Sequence, residues 1–474
     1  MSQLLDLIAF WPILLALTGL FLPRRPLERL NLLGSGLVVL LAALSLREIT
    51  EHPQGLLALS PLNGLLLALV SVIAFLGTIA SVAFWQQHGC GDERRLGRYY
   101  LWWNLFVASL LLVVLANNLG LAWLAIEATT LTSGVLVAFF GDQRSVEAAW
   151  KYVVLCSVGL ILALFGITLW YGVVTGPAAG GLAALNWDHL SLAARTAPPS
   201  VLRLAFVFLL LGLGTKAGLA PMHTWLPDAH SEAPAPVSGL LSGVLLAAVL
   251  TTLARAGHAI GAGTGPLFPD HLLLGFGLFS VALATPFLLL QRDLKRLLAY
   301  SSLEQIGLIA IGFGIGNRLA LLGALLQLVL HAFIKSSLFF SAGRLTAHYR
   351  TKSLLRLRGV WRELPLTGAL FLGGLSAIAG LPPFGLFVSE FLIILGGFQA
   401  HLGLAMAFLL LLLGLIFAGL WHYGTQILLG EGPERSPRPP RRLYLWASLV
   451  PLILSVLGVG LLPLLWSIPG WGVY

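Results

Sequence analysis

Apolar runs of roughly 18 residues or more recur along the whole of this chain, and each is long enough to cross about 30 Å of hydrocarbon. With 58% hydrophobic and 10% charged residues among 474, the chain reads as an all-α polytopic membrane protein. A helix satisfies its own backbone polar groups where no water can. The opening stretch MSQLLDLIAFWPILLALTGLF has no basic region before its apolar part and no small-residue cleavage site, so it reads as an uncleaved first span and not as a signal peptide.

About fourteen transmembrane helices are expected, near residues 4–22, 28–46, 62–85, 99–116, 118–140, 152–174, 203–219, 237–256, 271–290, 300–316, 319–343, 367–397, 402–429 and 443–467. A net charge of +9 would point to nucleic acid in a soluble protein. Here no nucleic-acid partner is expected, because in a bilayer the placement of basic residues orients the chain. The connections after odd-numbered spans hold 21 Lys and Arg, while the even-numbered ones hold 5, namely Arg47, Arg195, Arg203, Arg255 and Arg318. That bias places the odd connections in the cytoplasm and both termini outside. Cys90 and Cys156 are the only cysteines and lack CxxC spacing, so this chain alone builds neither an iron–sulfur cluster nor a thiolate zinc site. No cofactor or metal is expected, and redox chemistry would sit in a partner.

Two spans are interrupted, the seventh by Gly218, Pro221 and Pro227 and the twelfth by GLPPFG at Gly380 to Gly385. Broken helices in corresponding places of two halves are a mark of transporters built from inverted repeats. The blander reading is a proline-containing loop at the membrane edge, which either site alone would allow.

An ionisable side chain at membrane depth is costly unless paired or hydrated, so each is a functional candidate. Glu127 lies about ten residues into the fifth span. Lys216 lies beyond Arg203 by roughly 20 Å of helix. His331 and Lys335 are four residues apart on one helix face, and Glu390 follows the twelfth-span break. Burial favours the neutral form of either group and a nearby opposite charge restores the charged form. A Glu–Lys pair whose separation changes is therefore a proton switch: paired, both are charged; apart, the lysine can give its proton away. His331 would supply a relay.

Each has a structural alternative. A lone intramembrane Glu–Lys pair can be glue between helices. His223, Asp228 and His230, in the connection after the first break, fit either proton uptake and relay or ordinary hydrogen bonding at the edge. Glu304 fits either a relay or an acidic residue in the first turn of a helix. Glu147 and Lys151 read as an interfacial i,i+4 pair. GFGIG at Gly312 to Gly316 reads as glycine packing, since no strand precedes it. The spacings Glu127 to Lys216 (89 residues) and Glu304 to Glu390 (86 residues) are close, as inverted repeats would make them.

WLAIEATTLTS, KAGLAPMHTWLPDAHSEAPAPVSGLLSG, RDLKRLLAYSSLEQIGLIAIG, HAFIKSSLFFSAG and GLPPFGLFVSEFLI together resemble the antiporter-like proton-translocating subunits of respiratory complex I and membrane-bound hydrogenases. AIEATTL followed by VEAAWKYVVLCSVGLILALFG is most similar to the hydrogenase-4 component F branch. The resemblance implies two inverted five-helix repeats, helices 4–8 and 9–13, each carrying a half-channel. Residues 1–94 would then hold helices 1–3, residues 95–260 the first repeat, residues 261–430 the second, and residues 431–474 a C-terminal loop and helix 14. It implies Glu127 as the modulating glutamate, Lys216 as the central carrier, His331 and Lys335 as the linking segment, and Glu390 as the residue serving the exit. Two positions depart from the pattern: Ala247 where many relatives carry an eighth-helix lysine, and Gln327 where some carry a second histidine.

The expected function is thus a proton-translocating membrane subunit of a redox-driven complex, itself non-redox, with other membrane-arm subunits and a peripheral electron-transfer module as partners. Alternatives are a subunit of a multisubunit Na⁺/H⁺ antiporter or of an inorganic-carbon uptake system, and a non-conducting scaffold. A standalone enzyme is disfavoured for want of metal ligands, nucleophile–base pairs or a soluble domain.

Overall fold

The computed structural model describes residues 2–49, 55–88, 93–174, 181–430 and 443–467. Cys90 and the four arginines between 435 and 442, on which part of the charge bias rests, lie outside the described residues. Twelve helices among the described residues are long and apolar enough to cross a membrane, and three shorter apolar helices accompany them. In chain order the principal elements are α1 (Ser2–Thr18), α2 (Arg24–Ser45), α3 (Pro61–His88), α4 (Glu93–Leu115), α5 (Leu119–Val137), α6 (Gln143–Val174), α7a (Pro199–Ala217), α7b (Trp225–Glu232) and α8 (Ala235–Thr264). They continue with α9 (Leu267–Leu289), α10 (Leu294–Gly314), α11 (Arg318–Tyr349), α12a (Pro365–Ile378), α12b (Gly385–Gln399), α13 (Gly403–Leu429) and α14 (Leu443–Leu457).

The boundaries have local causes. Asn118, Asp293 and Asn317 cap α5, α10 and α11, their side chains accepting from the backbone N–H three residues on at 3.1, 3.0 and 2.9 Å, which satisfies donors a helix start leaves unpaired. α7a starts on Pro199 and stops at Gly218, whose φ of 81° lies in the left-handed region open to glycine. The Gly218 and Leu219 amides turn back onto Thr215 and Gly214 at 3.1 and 2.8 Å. The second break repeats this closure at Gly380 (φ 69°), with the Gly380 and Leu381 amides on Ala377 and Ser376 at 3.2 and 3.1 Å. Both expected interruptions are therefore real helix ends, the first buried through Ala220 and the second half-buried, with Pro382 and Pro383 exposed.

α8 and α10 are buried along their apolar length and α11 nearly so, whereas α2, α6, α13 and α14 present most of theirs outward. The central helices α10 and α11 carry Glu304, His331 and Lys335, which cannot face lipid without cost. α9 packs along α10, α6 along α7a and α11 along α12b. Alternate crossings gather the Arg/Lys-rich connections on one face of the bundle, and contacts between 95 and 139–140, 151 and 228, 296 and 228, and 352 and 232 confirm that these segments share it.

Three assignments made from sequence change. α10 begins at Leu294, so Glu304 sits in mid-helix at 1% exposure and is not a first-turn residue. α8 runs on to Thr264, so Arg255 lies more than two turns inside it and not in a connection. Arg203 likewise belongs to the start of α7a, over the Phe268 ring at 5.6 Å. Gly312 and Gly314 do serve packing: a Cβ on Gly314 would run into the α9 backbone at Leu274 and Asp270.

The α9–α10 seam depends on glycine in the same way. A Cβ on Gly277 would meet the Gly307 carbonyl oxygen at 2.7 Å, and one on Gly307 would meet that of Gly277 at 2.9 Å. Gly307→Val should therefore cost about 1–3 kcal/mol by overpacking and lower the melting midpoint in detergent. Gly275→Ala, where nothing lies within 4 Å, should leave the midpoint unchanged or slightly raised; equal midpoints for both would remove the close-packing argument.

Candidate functional site

The first break delivers Lys216, the penultimate residue of α7a, into the interior at 0% exposure. Its ammonium donates to the Thr130 hydroxyl at 2.8 Å and to the Tyr152 hydroxyl at 2.5 Å, and lies 4.5 Å from the Tyr152 ring centroid. A lysine ammonium only donates, so the Tyr152 oxygen accepts from it and passes its own hydrogen to Ser133 at 2.7 Å. Ser133 in turn donates to the Thr129 carbonyl at 2.5 Å. The charge thus rests on a directed chain of neutral hydroxyls drawn from α5 and α6, near the C-terminal end of α7a where the helix dipole favours a cation.

Glu127 lies one turn before Thr130 on α5. One carboxylate oxygen accepts from Ser157 at 2.7 Å, and the other is buried without a partner. Among the described residues no ion pair joins Glu127 to Lys216. The sequence suggested a pair whose separation changes; the structure holds the lysine on hydroxyl partners, with no ion pair to the carboxylate among the described residues. Thr130, Ser133, Tyr152 and Ser157 were not found from sequence, although spacing along α5 and α6 sets each on the face of Glu127 or Lys216.

From this site the contacts lead towards the second half. The Trp225 ring lies 4.6 Å from Tyr152, and its indole N–H donates to the Thr215 carbonyl at 2.8 Å. The next ring is His230, 6.2 Å from Trp225 and 5.6 Å edge-on to Phe339. His230 is fully buried and neither ring nitrogen has a partner, so the reading of an edge histidine with ordinary hydrogen bonds fails for it. The titratable groups facing it are Lys295, Lys335 and His331. His223, also buried, stands in the break with its ring 6.4 Å from Tyr300 of α10.

In the second half, the Lys335 ammonium donates to the Leu298 carbonyl at 2.8 Å and to the Ser301 hydroxyl. His331 places Nε2 3.2 Å from the Ser242 carbonyl, which fixes the hydrogen there and leaves a buried, unpartnered Nδ1. Ser242 belongs to a π turn, Leu241–Leu245, just before Ala247. Glu304 faces Lys335 and Glu390, and both its oxygens accept from the Gln305 amide at 3.0 and 3.1 Å. Gln305 accepts from Gln327 at 2.5 Å, and Gln327 accepts from Ser389, the neighbour of Glu390. The Glu390 carboxylate itself lies against Gly380 in the second break. Gln327 is thus the middle of an amide chain spanning α10, α11 and α12b.

Asp228, on α7b, belongs to a different arrangement. It bonds Lys151 of α6 at 3.3 Å and Arg296 of α10, while Lys151 also holds Glu147 at 2.6 Å, as its spacing predicts. Lys295, counted from sequence as a loop charge, is 4% exposed and caps the end of α7b, donating to the Ser231 and Ala233 carbonyls at 3.1 and 2.5 Å. Lys352 adds bonds to the Ser231 carbonyl at 2.9 Å and to Glu232 at 2.7 Å. The half-helix α7b is thereby tied to α10 and to the connection after α11. Among the described residues no group of three or more His, Cys, Asp or Glu is arranged to hold a metal.

Residues 116–416 match the family described as NADH:quinone oxidoreductase/Mrp antiporter, TM. A hydrogenase-4 component F homolog of Methylacidiphilum infernorum (isolate V4) is 37% identical over 406 residues, 83% of each chain. NADH-quinone oxidoreductase subunit N of Desulforudis audaxviator (strain MP104C) is 32% identical, covering 87% of this chain and 82% of that one. A chain in the structure of the membrane-bound sulfane sulfur reductase, an archaeal respiratory membrane complex, superposes with a TM-score of 0.88 at 22% identity, covering 98% of this chain and 96% of its own.

The Lys295 cap makes a measurable demand. A charge-assisted hydrogen bond contributes about 1.5–3 kcal/mol, so Lys295→Met should lower amide-exchange protection across residues 225–232 by about tenfold or more. Unchanged protection there would show that Lys295 does not hold α7b.

Proposed function

The chain belongs to the NADH:quinone oxidoreductase/Mrp antiporter transmembrane family, and on that premise we propose that it is a proton-translocating membrane subunit of a redox-driven respiratory complex. It is a multi-pass membrane protein that works beside other membrane-arm subunits. In this reading a peripheral electron-transfer module supplies the energy, the Arg/Lys-rich face is cytoplasmic, and both termini lie outside a bacterial plasma membrane.

Residues 95–260 and 261–430 act as two half-channels. A proton taken up near His223 and α7b loads Lys216, crosses by His230 to the Lys335–His331 segment, and reaches Glu390 through Glu304 and the amides around it. The switch is the Glu127–Lys216 distance: drawn together, the carboxylate keeps the ammonium charged; drawn apart, the lysine rests on neutral hydroxyls and can release its proton. The observation that carries this reading is the pairing of a buried ammonium on neutral partners with a carboxylate one turn away that keeps a buried, unpartnered oxygen. Such a pair gains from approach yet is held open, which structural glue would not be.

Lys216→Met in the assembled complex should leave electron transfer measurable and lower proton translocation at least about tenfold. Lys216→Arg should not restore it, because a guanidinium does not deprotonate in a protein. Normal pumping by Lys216→Met would sink the proposal, whereas loss of assembly alone on neutralising Glu127, Lys216 and Glu390 would identify a scaffold. Since the family description also names antiporters, a strict sodium dependence of the same flux would assign the path to cation exchange.

A further inference from the structure

Resting on that reading, the geometry points to a cation barrier: we infer that Arg255 and the plug around Trp187 close the first repeat on the face opposite the arginine-rich one. A proton on Lys216 then leaves sideways towards the second repeat. Three backbone segments from different parts of the chain are stitched together there. Asn117 N and Ala58 N donate to Leu56 and Leu115 at 2.8 and 2.9 Å, and Trp187 N donates to Asn117 at 3.2 Å. Isolated bridges pair Leu57 with Ala116 and Asn118 with Asn186, and the Asn118 and Asn186 side chains bond at 2.9 Å. The Trp187 indole closes on the Ala116 carbonyl at 3.3 Å.

Beneath this plug is a cavity of about 20 Å³, lined in part by Asn63, Val114, Ala122, Trp187, Thr251 and Arg255. That is room for one water. The Arg255 guanidinium lies over the Trp187 ring, 4.6 Å from its centroid, and donates to the Asn63 side-chain oxygen at 3.3 Å. Asp188, the next residue along the surface helix Trp187–Ala194, is the carboxylate that acts on it, yet among the described residues no ion pair forms with Arg255. Ala122 is five residues before Glu127, about 7.5 Å along α5, so the cavity lies directly between the Lys216 site and the plugged face.

A guanidinium is always charged in a protein and cannot relay a proton by losing one. Set in a narrow, low-dielectric neck, its fixed positive charge repels hydronium and metal cations alike. Without such a barrier a carrier lysine reachable from both faces would short-circuit the proton gradient.

The test uses the assembled complex in liposomes with no redox substrate, reading proton leak with an internal pH dye under an imposed gradient. Arg255→Gln should raise the leak about tenfold and Arg255→Lys, which keeps a charge, should stay near the parent rate. Adding Lys216→Met to Arg255→Gln should return the leak to that rate, because the short circuit runs through the lysine. An assembled Arg255→Gln complex as tight as the parent overturns the inference. An independent measurement needs no change at Arg255: in a Cys90→Ser, Cys156→Ala background, Thr251→Cys should resist a membrane-impermeant cationic thiol reagent added at the plugged face. Rapid labelling there also overturns it. A parent complex that assembles but moves no protons would refute the proposed function instead, and the labelling result would still decide whether the face is closed.

Discussion

The whole site depends on backbone that stops bonding to itself at membrane depth. Peptide groups released by a helix end cannot turn to water there, so the surrounding protein must satisfy them. At the first break the Ala220 amide donates to Ser280 of α9 at 3.0 Å, and the Thr215 carbonyl takes the Trp225 indole. At the second, the Ile378 carbonyl takes Gln305 of α10 at 3.3 Å. Each break is therefore bonded by side chains held elsewhere, and α9 and α10 cannot shift without loosening them. The close glycine seam between α9 and α10 and the polar grip on the breaks are one constraint seen from two sides.

This constraint also explains the number of hydroxyls and amides around the charges. A buried ammonium without a counter-ion requires oriented acceptors, and Thr130, Tyr152, Ser301 and the Leu298 carbonyl supply them to Lys216 and Lys335. Four buried imidazoles among the described residues, His223, His230, His331 and His348, break the pattern by keeping an unpartnered nitrogen, and two of them, His230 and His331, lie between the lysine sites. In a soluble core such groups would be costly; between two lysine sites they are the places where a bound water or a passing proton would gain most.

The helical class, both breaks and the buried charges at Lys216, His331, Lys335 and Glu390 were legible in the sequence, because hydropathy, proline and an ionisable residue in an apolar run each report a local cost. What lay hidden depended on which helices become neighbours. Lys295 reads as a loop charge from its sequence neighbours, and only the arrival of the α7b terminus makes it a cap. Arg255 reads as the end of a span because apolar counting cannot see that α8 continues past it. Glu304 reads as a first-turn acid for the same reason, one helix start having been placed too late. The Glu127–Lys216 pairing was suggested by charge alone, and the hydroxyls that hold Lys216, Thr130 and Tyr152, are silent in hydropathy.

The two breaks hold groups of opposite charge. The carbonyl end of a broken helix favours a cation, and Lys216 stands in the last turn of α7a. At the other break the Glu390 carboxylate, from the second turn of α12b, reaches back to lie beside Gly380, just past the end of α12a. Because α7 and α12 cross in opposite senses, α7a and α12b occupy the same half of the bundle, so Lys216 and Glu390 stand at similar depth on either side of the central helices. On the function proposed above, a proton passing between them would travel mainly in the plane of the membrane.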